Sequence, residues 1–189
     1  MPYNPDIHHR HSIRLKDYDY SRSGAYFVTL CAWHRECLFG SIVDGEMVLN
    51  DMGRIVFQAW EWLGTRYNHV LLGEWIIMPN HLHGIIVIDD CRGGSRTARM
   101  RTAPTECKPL GRLIGAFKTV STKQINQLRD NAGCPIWQRN YYERVIRSEV
   151  ELSRANEYIV NNPIKWESDR ENPLNCQGGS RTAPTSEER

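Results

Sequence analysis

Two histidines separated by one apolar residue, His81-Leu82-His83, open a β-rich run that continues Gly84-Ile85-Ile86-Val87-Ile88. Short runs of β-branched residues bounded by turn signals read as strands, and Met78-Pro79-Asn80 supplies the turn before this one. Along a strand, successive side chains alternate faces. His81 and His83 therefore share one face, and Leu82 points into the opposite layer. Two imidazoles one pleat apart form half of a metal site. An isolated His-x-His is more often a pair of polar residues on a solvated face, so the pattern needs a matching feature elsewhere in the chain.

At 189 residues the chain is expected to form one domain with tails. Its formal charge is only +2, but the charge is unevenly placed. Between Arg92 and Arg129 nine Lys or Arg residues face a single acid, Glu106. Such an excess suits a polyanion such as nucleic acid, whereas a merely solubilising surface mixes both signs. The six cysteines are scattered with no Cys-x-x-Cys pair, which argues against a zinc ribbon and offers no disulfide framework. The beginning of the chain lacks the apolar core of a signal peptide, and no stretch is long enough to span a membrane. The expectation is a reduced, cytoplasmic protein that does not associate with membranes.

Residues 1–24 are polar, basic and aromatic and read as an arm, and 25–173 read as the domain. Within the domain, 25–31 is a strand, and 38–49 a hairpin around the favoured turn dipeptide Asp44-Gly45. Asn50 or Asp51 caps a helix whose face carries Ile55, Ala59, Trp62 and Leu63. Strands follow over 70–77 and 81–88. A Gly/Ser/Arg/Thr-rich insert at about 92–109 nearly repeats in the tail at 174–189, and both are too polar to bury much surface. A helical region covers 110–128, with Arg112, Lys118 and Lys123 on its basic side. A short strand lies within 136–146, and Ser148-x-x-Glu151 is a capping box opening a last helix that ends before Pro163. This order suits an α+β fold of ferredoxin-like or RNA-recognition-motif type, an antiparallel sheet with helices packed on one face.

The last helix supplies the matching feature. Leu152, Ala155 and Ile159 form its apolar stripe, while Tyr158 and Asn162, four residues apart, sit one above the other on the flank. Packed beside the His81–Ile88 strand, this flank would bring a phenol and an amide oxygen to the two imidazoles. The set suits phosphodiester transesterification. A metal on His81, His83 and Asn162 would stabilise charge on the phosphate, and Tyr158 would be the nucleophile. A free phenol ionises near ~10, so Tyr158 would need the metal or a base to shed its proton. Tyr141 and Tyr142 are rivals, but no metal-ligand type lies four residues beyond either, and DNA stacking or packing suits them better.

Asn80-His81-Leu82-His83-Gly84 resembles the His-hydrophobe-His motif of single-tyrosine HUH transposases, and Glu157-Tyr158-Ile159-Val160-Asn161-Asn162-Pro163 resembles their tyrosine helix. The branch most similar is that of the REP-associated tyrosine transposases. Further agreement lies in Ala25-Tyr-Phe-Val-Thr-Leu30, Phe39-Gly40, residues 137–146 and Asn162-Pro-Ile-Lys-Trp166, so the resemblance spans roughly 14–173. It implies an HUH-endonuclease fold and a metal-dependent enzyme that nicks and joins single-stranded DNA next to imperfect palindromic hairpins through a 5′-phosphotyrosine. It also implies Tyr158, His81 and His83 as catalytic residues, His81, His83 and Asn162 as ligands of Mg2+ or Mn2+, and a monomer or homodimer. Two imidazoles are softer than magnesium prefers, so manganese should serve at least as well. Arg112, Lys118 and Lys123, with Arg14, Tyr18 and Tyr20 of the arm, are the expected DNA contacts. Two other readings remain. One is a non-catalytic single-stranded nucleic-acid-binding module of RRM-like fold, which would need exposed aromatics where the third strand carries histidines. The other is a replication initiator or relaxase, which usually adds a third histidine and paired tyrosines.

Overall fold

The computed structural model describes residues 23–89, 108–169 and 172–173. The expected arm up to residue 22, the repeat insert up to 107 and the repeat tail lie outside the described residues, and Gly24, expected to end the arm, instead opens the first strand. Among the described residues, six strands and three α-helices follow in the order β1 (Gly24–Cys31), β2 (Gly40–Val43), β3 (Glu46–Leu49), α1 (Asp51–Arg66), β4 (Val70–Met78), β5 (His81–Ile88), α2 (Leu110–Leu128), β6 (Tyr142–Ile146) and α3 (Glu149–Val160). Four strands form an antiparallel sheet in the order β4-β5-β1-β6. With the β2–β3 hairpin set aside, β1 to β6 follow the ferredoxin-like β-α-β-β-α-β plan, to which α3 is added.

Local chemistry accounts for the boundaries. Asp44 and Gly45 both have positive φ, 51° and 78°, as the tight β2–β3 turn demands. The Asn50 side chain accepts from Gly53 N at 2.9 Å and caps α1. Ser148 Oγ accepts from Glu151 N, while the Glu151 carboxylate reaches back to Arg147 N at 2.9 Å. The capping box thus closes one residue earlier than its ideal form.

Strand parity divides the sheet into two unlike faces. Tyr26, Val28 and Leu30 of β1, with Leu82, Ile86 and Ile88 of β5, are fully buried in one core with Val56, Ala59, Trp60 and Leu63 of α1 and Leu113, Ile114 and Phe117 of α2. The α1 stripe is therefore turned one residue from the expected one. Trp60 occupies its centre, and Ile55 and Trp62 sit at its edge. The cause is Gly84, whose missing side chain leaves room for the Trp60 indole; a Cβ there would lie 2.5 Å from that ring. The other face carries Phe27, Thr29 and Cys31 in register with Ile85, His83 and His81. Packing of helices on one face holds for α1 and α2. The third helix lies over the opposite face, where Tyr158 meets Phe27 and His83. Among the described residues, no helix is long and apolar enough to cross a membrane.

Replacing Gly84 by Ala should destabilise the protein by about 1–3 kcal/mol, as overpacking of a filled core does. Thermal unfolding should show that loss reduced when Trp60→Leu is added, because the two residues compete for one volume.

Candidate active site

The β5 histidines are buried side by side, with ring centroids 4.5 Å apart. On the other side of its ring from Nε2, His81 Nδ1 lies 2.8 Å from Asn80 Oδ1. An amide oxygen can only accept, so Nδ1 carries the hydrogen and Nε2 keeps its lone pair. His83 Nδ1 is 2.8 Å from Thr29 Oγ1, its register partner on β1, and His83 Nε2 is 3.4 Å from Tyr158 Oη. Phe27 stacks on His83 at 5.5 Å and meets the Tyr158 ring edge-on at 6.0 Å. The phenol is thereby held beside the imidazoles while Tyr158 stays 45% exposed and open to a substrate.

Asn162 falls just beyond α3, in the turn that leads to the buried Trp166. It is buried, and its amide lies close enough to the His81 ring to favour the charged imidazole. Yet neither Asn162 Oδ1 nor His81 Nε2 makes a hydrogen bond among the described residues. Two buried acceptors without a donor are costly. A cation is what such a pair lacks, so the donor set of two imidazole nitrogens and one amide oxygen fits a divalent metal. Among the described residues no three His, Cys, Asp or Glu side chains gather at one point, so a metal here would take its third protein ligand from another residue type, and the buried Asn162 amide beside His81 offers one.

Burial holds both imidazoles neutral. It pushes His81 down to about 4 from an ordinary 6.5, against a smaller upward pull from Asp169, while Arg35 adds to the depression. Burial and then the neighbouring His81 push His83 well below its ordinary value. Neutral imidazoles are the form that binds metal.

Beside Tyr158 the sheet is left uncovered between α3 and the β1–β6 pair, and a groove of about 740 Å³ opens there. Its floor includes Phe27, Thr29 and Cys31 of β1 and Tyr142, Arg144 and Ile146 of β6, and Arg35 and Arg154 stand in its walls. These cations were not foreseen. The signal available was the alternation Tyr142, Arg144, Ile146, but their register with Phe27 and Thr29 is a long-range pairing. Of the expected DNA contacts, Arg112 and Lys123 are exposed on α2, on the side of the sheet away from the histidines. Lys118 is engaged inside the protein: its ammonium donates to Gln138 O at 2.7 Å and Asn140 O at 3.1 Å, and burial lowers it to about 8. It anchors the segment entering β6 instead of facing solvent. Arg14, Tyr18 and Tyr20 lie outside the described residues. Tyr141 and Tyr142 line the groove, and Tyr158 is the tyrosine in contact with His83.

No protein-family profile matches the chain. A Haemophilus influenzae (strain KW20 Rd) protein described only as uncharacterized is 41% identical over 174 residues, covering 89% of this chain and 96% of that protein. The chain belongs to the family of that protein. Among solved structures, the REP-associated tyrosine transposase bound to a REP hairpin has the same fold. Its TM-score is 0.54 at 16% identity, over 82% of this chain and 74% of that one. A crystal structure of a Deinococcus radiodurans protein provisionally assigned as a transposase is a looser match, with TM-score 0.45, 13% identity, and coverage of 79% and 97%. The fold expected from the resemblance is thus the fold observed.

The depressed imidazoles make a pH prediction for the metal-free protein. In the unfolded chain each histidine takes up a proton near 6.5; in the folded protein His81 does so only near 4. Between those values the unfolded state binds more protons, so stability falls as pH falls. For His81 alone the loss reaches roughly 3 kcal/mol by about pH 4. Urea unfolding at pH 7 and pH 4.5 should show this decline, and a His81→Gln/His83→Gln variant should show a flatter one.

Proposed function

We propose that this protein is a metal-dependent endonuclease and strand transferase for single-stranded DNA, acting beside imperfect palindromic hairpins through a covalent bond to Tyr158. The observation that carries the reading is the approach of Tyr158 Oη to His83 Nε2, next to two buried acceptors that no donor satisfies. His81 Nε2, His83 Nε2 and Asn162 Oδ1 would hold Mg2+ or Mn2+. A divalent cation there would supply positive charge to a phosphodiester and make the phenol easier to ionise.

The chain's own residues do the rest. Phe27 and His83 hold the Tyr158 ring, so that its oxygen is presented to the groove and not to the core. Tyr158 Oη loses its proton and attacks phosphorus. The bond from phosphorus to the 3′ oxygen breaks, the 3′ oxygen leaves as a hydroxyl after taking a proton, and the 5′ phosphate stays on the tyrosine. A second 3′-hydroxyl can reverse the step and join the strands, because the phosphotyrosine conserves the phosphodiester bond. Arg35, Arg144 and Arg154 suit phosphates along the groove, and Tyr142 suits an unpaired base. Arg112 and Lys123 would meet only DNA that wraps to the α2 side.

Support comes from the fold shared with a transposase captured on a REP hairpin. A non-catalytic module of RRM-like fold would use the open face of the central strands. Here α3 is added over that face, and the histidines and Phe27 beneath it are packed with Tyr158. The exposed Tyr142 in the groove remains compatible with stacking in either case.

Incubating genomic palindromic hairpins in single-stranded form with the protein and manganese should give a denaturation-resistant protein–DNA adduct. Tyr158→Phe should abolish the adduct while leaving hairpin binding intact. Its persistence would move the nucleophile to Tyr141 or Tyr142, and binding without an adduct on any hairpin would support the non-catalytic module. In the same assay, Arg144→Ala/Arg154→Ala should weaken binding across sequences and lower the salt dependence by about two phosphate contacts.

A further inference from the structure

We infer that Asn80 is a positioning residue: its amide selects the His81 tautomer with a bare Nε2 and ties that choice to the Trp33–Arg35 turn at the groove rim. The inference rests on the proposed reading of His81 as a metal ligand. Asn80 is 1% exposed and sits in the turn between β4 and β5. Its Oδ1 is 2.8 Å from His81 Nδ1, and its Nδ2 donates to the Arg35 carbonyl at 3.1 Å. Its own backbone carbonyl accepts from Ala32 N at 2.8 Å, at the start of the same turn.

The second bond decides the first. Turning the amide over would set its oxygen against the Arg35 carbonyl, two acceptors at hydrogen-bonding distance, so the oxygen must face His81. An oxygen facing Nδ1 requires Nδ1–H, and a neutral imidazole then has no hydrogen on Nε2. Outer partners of this kind set ring orientation and tautomer at metal sites. The Arg35 end is equally constrained. His34 and Arg35 have φ of 53° and 58°, a region that non-glycine residues enter at a cost, and the Asn80 bond helps hold them there. The Arg35 side chain then lines the groove near enough to His81 to act on it electrostatically. One amide therefore links the metal-facing nitrogen to a cation suited to the substrate.

The test is nitrogen-15 NMR of the imidazoles in the full-length, metal-free protein at neutral pH, with manganese affinity measured alongside by calorimetry. Wild-type His81 should show the Nδ1–H tautomer. Asn80→Asp still accepts from Nδ1–H but sets its other oxygen against the Arg35 carbonyl, so it should lose some stability, keep the tautomer and bind manganese within a few-fold of wild type. Asn80→Ala should release the tautomer and weaken manganese binding about 10–100-fold. A merely structural Asn80 would lower the melting temperature of both variants and leave the tautomer unmoved, which would overturn the inference. So would an Nε2–H tautomer in wild type, a result that needs no variant to fold. Wild-type protein that shows the Nδ1–H tautomer and takes up no manganese would refute the metal reading and leave Asn80's hold on His81 standing.

Discussion

The contact between Gly84 and Trp60 sets the register on which the rest of the structure depends. A strand slipped by one residue sends its whole side-chain pattern to the wrong face. In β5 such a slip would drive His81 and His83 into the apolar core and turn Leu82 and Ile86 to the α3 side. The Trp60 indole occupies the space that any Cβ at position 84 would need, so only the observed register lets it seat. Burying a large aromatic ring gives that choice several kcal/mol of weight. The placement of the two histidines is thus secured from the far side of the sheet.

That same division explains how an ordinary α+β sheet makes room for the candidate site. One face is spent on stability, with α1 and α2 sealing it. The other is only partly covered: α3 brings Tyr158 and the turn after it brings Asn162 to the histidines, and the β1–β6 half is left as a groove. Lys118 and Trp137 reinforce this from the α2 side. The Lys118 ammonium and the Trp137–Ser121 hydrogen bond, 2.9 Å, pin the segment that enters β6 and so fix the groove's outer wall. A half-buried cation satisfied by carbonyls is a positional clamp, so a basic residue in a basic stretch can serve packing.

Much of the site was legible because its signals are local. The parity of His81 and His83, the spacing of Tyr158 and Asn162, the Asp44-Gly45 turn and the Ser148 cap each follow from a few neighbouring residues. What escaped depends on which strands pair. Arg144 joins the groove only because β6 lies beside β1, and Arg35 only because a left-handed turn folds back onto Asn80. The α1 stripe was misplaced by one residue because Trp62 and Trp60 are equally apolar in sequence, and only the gap above Gly84 distinguishes them. The tie between Lys118 and the segment entering β6 escaped for the same reason, since its two carbonyl partners are twenty or more residues away.

The central claim is that two imidazoles and one amide oxygen, from β5 and the turn after α3, form a single divalent-metal site beside Tyr158. The measurement that tests it most directly is anomalous X-ray scattering from crystals of the protein grown with manganese. The account predicts one strong peak in coordination contact with His81 Nε2, His83 Nε2 and Asn162 Oδ1. A peak centred on other residues, or imidazoles left without metal at saturating manganese, would contradict it.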